Sequence, residues 1–325
     1  MRSLLPALIL LVVASTGCGA GETVVVTDKA PALSNVDAQS VIAAYDRGNN
    51  QANSALDPAM LAEIEAPPLR TTSEAALRIA KKLAKTVPLI TSNDTRFLVP
   101  ADANWFVVMS NRVRGGVPSP RPTYTLFTRG DNGKWLATYS LLTTEDVPPA
   151  DMNSAAAASA VVDFADLLIP PADLGKQLLE HYTRGLAGKD SFARSVALDD
   201  QLTNGYVVGQ QVMAGRGYSL QRTLAPASHP IFALRTNDGG ALVFSATTVV
   251  DSIKADAVDG AVTLNPTGNE AALLSGGSQT APAFRVTRVQ TYLTYVPKKS
   301  ELKAKVLAFT DTPVETSATT QGDFQ

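Results

Sequence analysis

The sequence predicts an α+β fold of two units, each of which places helices before a curved antiparallel sheet. The 325-residue chain is 45% apolar and 18% charged, which is enough apolar side chain to form real cores. Its hydrophobic period changes twice from that of helices to that of strands. Two short turns rich in Asn, Asp and Gly join strand-like runs, and such turns are strong local signals of β-hairpins.

The domain boundaries are predicted from composition. About 308 residues remain after a leader, which suggests two domains on a prior of roughly 150 residues each. Proline pairs and polar stretches separate the apolar segments. The predicted parts are a leader at 1–17, a tether at 18–35, a first α+β domain at 36–146, a linker at 147–159, a second α+β domain at 160–312 and a flexible tail at 313–325.

The first eighteen residues indicate export. Arg2 precedes an apolar run from Leu4 to Ala14, which is shorter than the roughly 20 residues of a spanning helix and matches the core of a signal peptide. Cys18 is the only cysteine in the chain. A single thiol in an exported protein needs an explanation, and attachment of a diacylglyceryl group provides one, because two acyl chains anchor a protein stably.

The residues before Cys18 resemble the lipobox of bacterial lipoproteins, in which small residues precede the modified cysteine. Thr16 and Gly17 fit the pattern, whereas Ser15 stands where Leu or Val is usual. The resemblance implies cleavage before Cys18 and a lipid anchor on the outer face of the cytoplasmic membrane. The alternative is a plain signal peptide with an incidental cysteine, cut for example after Ala20.

Three helices and an antiparallel meander are expected in the first unit. Ser34 or Asn35 caps the first helix, and Asp57-Pro58 starts a second helix that ends near Glu65. The third helix is expected at 73–84 and the hairpin turn at 130–133. The strands are expected at 97–99, 105–113, 123–129 and 134–142.

The second unit is expected to repeat this order. Helices are predicted at 161–169 and after Asp173, where Leu174, Leu178 and Tyr182 share one face. A strand-like stretch is expected at 206–224, a hairpin turn at 237–240 and a loop at 267–279. The remaining strands are expected at 231–235, 241–250, 258–264, 284–296 and 305–309.

An internal duplication is compatible with this order. The stretch from Tyr45 to Gly48 is loosely similar to the stretch from Tyr182 to Gly185. The spacing to the hairpin glycines differs, however, with 85 residues from Gly48 to Gly133 and 54 residues from Gly185 to Gly239. A duplication would therefore require large insertions.

Two stretches resemble uncharacterised lipoproteins of high-GC Gram-positive bacteria, the actinobacteria. They run from Tyr45 to Pro58 and from Phe232 to Phe244. The resemblance covers most of the mature chain, but its motifs are structural and imply no chemistry. The order of helices and curved sheet is also similar to the cystatin-like cone of nuclear transport factor two, which would place a pocket between helix and sheet.

Charge and motifs exclude several function classes. Removing Arg2 with the leader leaves 27 basic and 30 acidic residues, which does not fit a nucleic-acid binder. The phosphate-loop, dinucleotide and nucleophile-elbow patterns are absent from the sequence, so no cofactor is expected. Arg129-Gly130-Asp131 is better explained by its hairpin turn than by adhesion. One basic cluster near the end of the chain would contact lipid headgroups or, as we favour, discourage strand pairing at a solvated edge; it comprises Lys298, Lys299, Lys303 and Lys305.

No set of residues predicts catalysis. His181 and His229 are isolated and leave too few ligands for zinc. The aspartate clusters lack the spacing of an EF-hand and fit solvated charges; they are Asp163 with Asp166, Asp199-Asp200, and Asp251 with Asp256 and Asp259. Asp46 and Asp163 lie on predicted helices and are the carboxylates that a cone-shaped enzyme would offer.

Two hypotheses for function follow. The first is a lipid-anchored protein that acts by binding, either as a scaffold for envelope proteins or as a carrier of an apolar ligand. The second is an isomerase-like or dehydratase-like enzyme with a cone-shaped pocket and a carboxylate base. A closed pocket with a buried carboxylate of raised pKa would favour the enzyme. A filled core or a flat apolar patch would favour the scaffold.

Overall fold

The computed structural model describes residues 33–100, 104–147, 163–183, 191–199, 205–226, 229–257, 259–276, 278–299 and 302–319. These residues form helices and two large antiparallel sheets, which confirms the α+β class with two sheet units. The leader, Cys18, most of the tether and residues 148–159 of the predicted linker lie outside the described residues. No helix of the described part is long and apolar enough to cross a bilayer.

The first unit begins with the helices that local signals predict. They are α1 (Asn35–Ala55), a 3₁₀ helix (Pro58–Glu63) and α2 (Leu69–Lys82). The Ser34 hydroxyl caps α1 by accepting a hydrogen bond from the amide of Asp37 at 3.2 Å. The Asp57 carboxylate caps the 3₁₀ helix by accepting from the amide of Ala59 at 3.0 Å. A Cβ atom added at Gly48 would lie 2.9 Å from Cγ2 of Ile64, so this glycine allows α1 to approach the segment after the 3₁₀ helix.

The first sheet is a meander in the order β1-β2-β4-β5. Its strands are β1 (Ile90–Leu98), β2 (Trp105–Arg114), β3 (Val117–Pro118), which pairs with β2, β4 (Thr123–Arg129) and β5 (Trp135–Leu142). The predicted hairpin joins β4 to β5, and the Gly130 amide closes it on the carbonyl of Lys134 at 2.8 Å. Gly133 takes a φ of +77°, which glycine adopts without a steric cost.

The helices of the second unit differ from two predictions. They are a 3₁₀ helix (Pro171–Asp173), α3 (Leu174–Thr183), a short helical stretch at 196–199, α4 (Tyr206–Ala214) and α5 (Asn269–Ala272). The helix predicted at 161–169 is wrong over its described part, because Leu167 forms a bridge with Lys298. The strand predicted from 206 is wrong as far as Ala214, because Tyr206 and Gln210 both hydrogen-bond to the Leu220 carbonyl and hold a helix against the next strand.

The second sheet is also a meander. Its strands are β6 (Tyr218–Leu224), β7 (Phe232–Arg235), β8 (Ala241–Ala255), β11 (Ala283–Val296) and β12 (Lys305–Thr319), with β9 (Val262–Thr263) and β10 (Thr280–Ala281) forming a separate pair. Strands β6 and β7 pair with different parts of β8 and form one edge. The fraying expected from residue 313 is not observed up to Thr319. Pro313 lies at a register shift opposite Arg288, on an edge strand, where proline is tolerated.

The two sheets pack against each other through one apolar cluster. Leu126 and Tyr139 of the first sheet belong to the same buried cluster as Phe244 and Leu293 of the second. Helix α2 extends past the free edge of β5, and its Ala75 packs with residues of the second sheet. The edge of β5, α2 and the second sheet therefore surround a space at the junction of the two units.

Candidate functional site

Glu65 is held at the free edge of the first sheet. Its amide donates to the Leu61 carbonyl at 2.8 Å, and the Ala66 amide donates to the carbonyl of Ala137 in β5 at 2.9 Å. The Ala137 amide returns a bond to the carbonyl of Ile64 at 2.9 Å. This pairing turns the side chain of Glu65 inward, where it is 0% exposed.

The two oxygens of the Glu65 carboxyl group differ in their hydrogen bonds. The hydroxyl of Tyr45 on α1 donates to Oε1 at 3.0 Å, whereas Oε2 is buried without a hydrogen bond of normal geometry to the described residues, although the Ser73 hydroxyl is near enough to favour the charged form. Burial raises the pKa of Glu65 to about 7, although the hydroxyls of Ser73 and Tyr45 and the charge of Arg112 partly offset the rise. The group therefore exchanges its proton near neutral pH.

Polar contacts continue from Tyr45 across the helix-facing side of the first sheet. The guanidinium of Arg112 on β2 lies over the Tyr45 ring, 5.7 Å from its centroid. Its Nη2 donates to Oγ1 of Thr125 on β4 at 3.1 Å, and Thr125 contacts the hydroxyl of Ser140 on β5 at 3.4 Å. Nε of Arg112 and Oγ of the neighbouring Ser110 are buried with no hydrogen bond to the described residues.

A cavity of about 200 Å³ opens beside this polar cluster, between α2, β5 and the second sheet. Ser73 and Ser140 line it, so two routes of polar side chains connect the cavity to Glu65. Eight of its ten lining residues carry a hydroxyl group, among them Thr291 and Thr310 of the second sheet. Several of these hydroxyl groups already have protein partners, since Thr72 donates to the Leu69 carbonyl at 2.8 Å and Thr291 contacts Thr310 at 2.6 Å. The lining therefore offers methyl groups as well as hydroxyl groups, and suits a small ligand that has both polar and apolar parts.

Neither of the two carboxylates considered from the sequence lies in this site. Asp46 accepts hydrogen bonds from the amide of Ser92 at 2.7 Å and from its hydroxyl at 3.1 Å, so it fixes β1 to α1. Burial raises the pKa of Asp46, and these bonds oppose the rise. Asp163 is exposed and accepts from the amide of Ala165 at 2.9 Å, as a turn residue does. No sequence pattern distinguishes Glu65, since its burial depends on contacts with α1, α2 and β5.

The second unit contains a comparable cluster in which the carboxylates are paired. Arg222 on β6 makes two hydrogen bonds to Asp251, at 2.6 and 2.8 Å, and a third to Asp311 at 3.1 Å. Arg288 bonds to Asp251 at 2.8 Å and also to Glu270. Burial lowers the pKa of Arg222. Its hydrogen bonds to Asp251 and the charges of Asp251 and Asp311 together have the larger effect, so the pKa lies above its ordinary value. These ion pairs hold β6, β8, β11 and β12 together.

The tyrosines that begin the two similar stretches, Tyr45 and Tyr182, make corresponding contacts, whereas Arg184 and Gly185 lie outside the described residues. The Tyr182 hydroxyl donates to Oε1 of the buried Gln290 at 2.8 Å, and the Arg222 guanidinium lies 6.0 Å from its ring centroid. Tyr45 makes the same two kinds of contact with Glu65 and Arg112. The two units thus share a buried tyrosine under an arginine, but the acceptor is a neutral amide in the second unit and a carboxyl in the first.

The two histidines are structural. His181 lies on α3 with its ring 5.4 Å from that of Phe192, and His229 contacts the Thr248 hydroxyl at 2.9 Å. Burial lowers the pKa of His229. Within the described ranges, no group of three His, Cys, Asp or Glu side chains is placed to hold a metal ion.

The basic cluster and the Arg-Gly-Asp stretch also have structural contacts. Lys305 forms an ion pair with Glu145, and the side chain of Lys298 lies against Gly239 in the second hairpin. Arg129 lies over the ring of Trp135, 5.9 Å from its centroid, across the first hairpin. These contacts account for the residues without a ligand.

Comparison with known proteins places the chain among sequences of unassigned activity. The profile of a domain of unknown function, DUF8094, matches residues 29–317. A protein of Streptomyces avermitilis described as an uncharacterized lipoprotein is 30% identical over 234 residues, which cover 67% of this chain and 66% of that protein. The match thus spans just under two thirds of the relative. No solved structure matches the chain.

Proposed function

The chain belongs to the DUF8094 family and is related to an actinobacterial lipoprotein, and from this premise we propose that it is a lipid-anchored binding protein of the cell envelope. Cys18 carries the lipid, and the folded part lies on the outer face of the cytoplasmic membrane. The ligand is a small molecule with polar and apolar parts that enters the cavity beside Glu65.

The observation that carries the binding role is the buried, half-satisfied carboxyl group of Glu65. A buried polar atom without a partner costs about 1–3 kcal/mol, and Oε2 of Glu65 has no hydrogen bond of normal geometry to the described residues. In the second unit arginines are the partners of a buried carboxylate, since Asp251 bonds to both Arg222 and Arg288. Glu65 does not itself line the cavity, but Ser73 does, and the Ser73 hydroxyl acts on the Glu65 carboxyl group. We infer that a ligand in the cavity is coupled to Glu65 through Ser73.

The lining of the cavity supports a small ligand that has both polar and apolar parts. Ser73 and Ser140 bring hydroxyl groups to this space, and the threonines around them also bring methyl groups. Its volume of about 200 Å³ lies below the roughly 300–1,000 Å³ of pockets for drug-sized molecules. A compact molecule that carries hydroxyl or amide groups beside apolar ones satisfies both limits.

The second candidate function is an enzyme with Glu65 as its general base. The specific observation in its favour is the pKa of about 7 for Glu65, because a general base works best when its pKa is close to the operating pH. The same carboxyl group would then take a proton from the Ser73 hydroxyl, which lines the cavity, while that hydroxyl takes a proton from a bound molecule. Binding and catalysis differ in whether the bound molecule leaves unchanged.

Mass spectrometry of the protein extracted gently from its own membrane tests both roles. We expect a denatured mass that matches the chain from Cys18 with acyl groups, and an additional mass that appears only under native conditions. In a Glu65→Gln variant the fraction of protein that carries the additional mass should fall about tenfold, which corresponds to the loss of one charged hydrogen bond. An Asp46→Asn control should carry the additional mass as the wild-type protein does.

The outcomes separate the proposals. An unmodified chain that begins after Cys18 would exclude the anchor, and a native mass equal to the denatured mass at saturating extract would exclude the ligand site. If Glu65→Gln keeps a bound molecule that the wild-type protein converts to a dehydrated product of lower mass, or to an isomer of equal mass that chromatography separates, the enzyme is the correct function.

A further inference from the structure

An apolar surface is exposed at one end of the first sheet. Leu89 is 53% exposed and Val117 is 68% exposed, and the adjacent Pro88 and Pro118 are also exposed. The amide of Gly115 donates to the carbonyl of Leu89 at 2.8 Å, so the segment before β1 and the β2–β3 turn form one surface. We call Pro88, Leu89, Val117 and Pro118 the apolar tip.

The residues around the apolar tip are basic. Arg114 is exposed and pairs in register with Ile90, next to Leu89. Lys82 and Lys85 precede the tip and are exposed as well. Arg121, which follows β3, forms an ion pair with Asp146, so the positive charge beside the tip comes from Lys82, Lys85 and Arg114. The tip therefore combines exposed apolar side chains with a positive rim.

This combination fits the surface of a membrane. Apolar side chains are stabilised by entering the boundary between headgroups and acyl chains, and lysine or arginine near an anionic bilayer adds an electrostatic attraction. Gly115 and Gly116 take φ values of +58° and +82°, and this tight turn presents Val117 outward. We propose that the apolar tip docks onto the anionic bilayer that carries the lipid anchor.

The tether is long enough for both attachments. The side chain of Asn50 on α1 holds both the amide and the carbonyl of Ile90, at 2.7 and 2.8 Å. Asn50 is fifteen residues from the start of α1, a distance of about 22 Å along the helix axis. Sixteen residues separate Cys18 from Asn35 and can span up to about 53 Å. The anchor and the tip therefore reach the same bilayer.

Docking would hold the folded part in one orientation. A lipid on Cys18 is a single attachment, whereas a second contact fixes the first sheet relative to the membrane. The proposal takes the anchor from the proposed function as its first attachment and does not depend on the ligand cavity.

A fluorophore placed in the tip tests the contact. The lipidated protein is reconstituted into phosphatidylcholine vesicles with or without phosphatidylglycerol, and a Val117→Cys variant carries an environment-sensitive dye. The control is Val212→Cys on α4, which is 46% exposed in the wild-type chain. We expect a quencher on the acyl chains to quench the dye at position 117 in anionic vesicles, and to leave the dye at position 212 unaffected.

Variants of two basic residues beside the apolar tip test the electrostatic part of the contact. Lys85→Gln and Arg114→Gln should each lower the ratio of docked to free tips about fivefold. A dye at position 117 that stays in water in the presence of anionic vesicles, or equal quenching at both positions, would overturn the proposal.

The thiol of Cys18 provides a separate control for the anchor. The parent protein should take up no dye at Cys18, because the lipid occupies this thiol. Dye uptake at Cys18 would show that the anchor is absent. Contact between the dye at position 117 and the bilayer could then still be measured by adding vesicles to the protein.

Discussion

At the scale of single residues, the protonation of Glu65 links the cavity to the stability of the chain. The pKa of this group is about 7 in the folded chain, against an ordinary value of 4.5. The folded chain therefore holds this proton more tightly than the unfolded chain. Its contribution to the free energy of unfolding is fully present below pH 4.5 and is lost as the pH rises through 7.

We predict that a Glu65→Gln variant removes this pH dependence. At pH 8 the variant should be more stable than the wild-type protein by about 3 kcal/mol, because the amide is neutral where the carboxylate is charged and buried. Near pH 4 the two proteins should differ little. Urea unfolding at both pH values measures the difference.

The matched control for this prediction is Glu63→Gln, two residues earlier. Glu63 is exposed and pairs with Lys134 at 2.6 Å, so its removal should not stabilise the chain as the pH rises. If Glu65→Gln loses as much stability between pH 4 and pH 8 as the wild-type protein does, the carboxyl group is not buried as the structure has it.

The site itself could not be predicted from the sequence at this scale. Glu65 is one acidic residue between Ile64 and Ala66, and no periodicity or motif distinguishes it from a solvated charge. Its burial results from the pairing of Ala66 with Ala137, which lies 71 residues further along the chain. Asp46 attracted attention because it lies on a helix, but its carboxylate is used to hold Ser92.

At the scale of elements, local signals predicted the structure where they were sufficient by themselves. The caps at Ser34 and Asp57 and the two hairpin turns are short-range features, and the structure has all of them. The helix Tyr206–Ala214 was predicted as strand because valines follow Tyr206, whereas its contacts with Leu220 decide the outcome. Contacts between distant segments, which the sequence does not display, account for this error.

The hairpins also show the limit of the comparison between the two units. The first hairpin joins the last two strands of its meander, β4 and β5, whereas the second joins the first edge of its sheet, β7, to β8. The unequal glycine spacings noted in the sequence therefore compare turns that are not equivalent. The buried tyrosines at 45 and 182 are the better-matched positions.

The approach of α1 to the segment after the 3₁₀ helix provides a prediction for this scale. Gly48→Ala should gain about 1 kcal/mol from helix propensity, but its methyl group would overlap Cγ2 of Ile64, which lies 2.9 Å from the added Cβ position. Overpacking of this kind costs about 1–3 kcal/mol, so we expect a net destabilisation of about 1 kcal/mol. Thermal unfolding of the variant measures it.

A double-mutant cycle separates the two contributions. In an Ile64→Ala background the clashing methyl groups are absent, and Gly48→Ala should then stabilise the chain by about 1 kcal/mol. If Gly48→Ala destabilises the chain equally in both backgrounds, the glycine has a conformational role rather than a packing role.

At the scale of the whole molecule, the two sheets share one apolar cluster that contains Tyr139 and Phe244. Two domains were predicted from chain length, but a core that both units complete couples their folding. Each unit taken alone would expose its half of the cluster to water, at a cost of about 25 cal/mol per Å² of apolar surface. The units should therefore unfold in one transition.

The positions of the tryptophans make this coupling measurable. Both tryptophans of the sequence, Trp105 and Trp135, belong to strands of the first sheet. Trp105 also contacts Phe232 of β7, with ring centroids 5.3 Å apart, so the measurement uses a Trp105→Phe background in which Trp135 alone reports the first unit. Leu178 on α3 packs in a separate cluster with Leu174 and Tyr292 of the second unit. We predict that Leu178→Ala, which removes a buried side chain and costs about 2–5 kcal/mol, shifts the urea midpoint of tryptophan fluorescence as far as that of circular dichroism. A tryptophan midpoint that stays at the wild-type value while the dichroism midpoint falls would show that the two units unfold independently, and the shared cluster would then be a docking contact between separate domains.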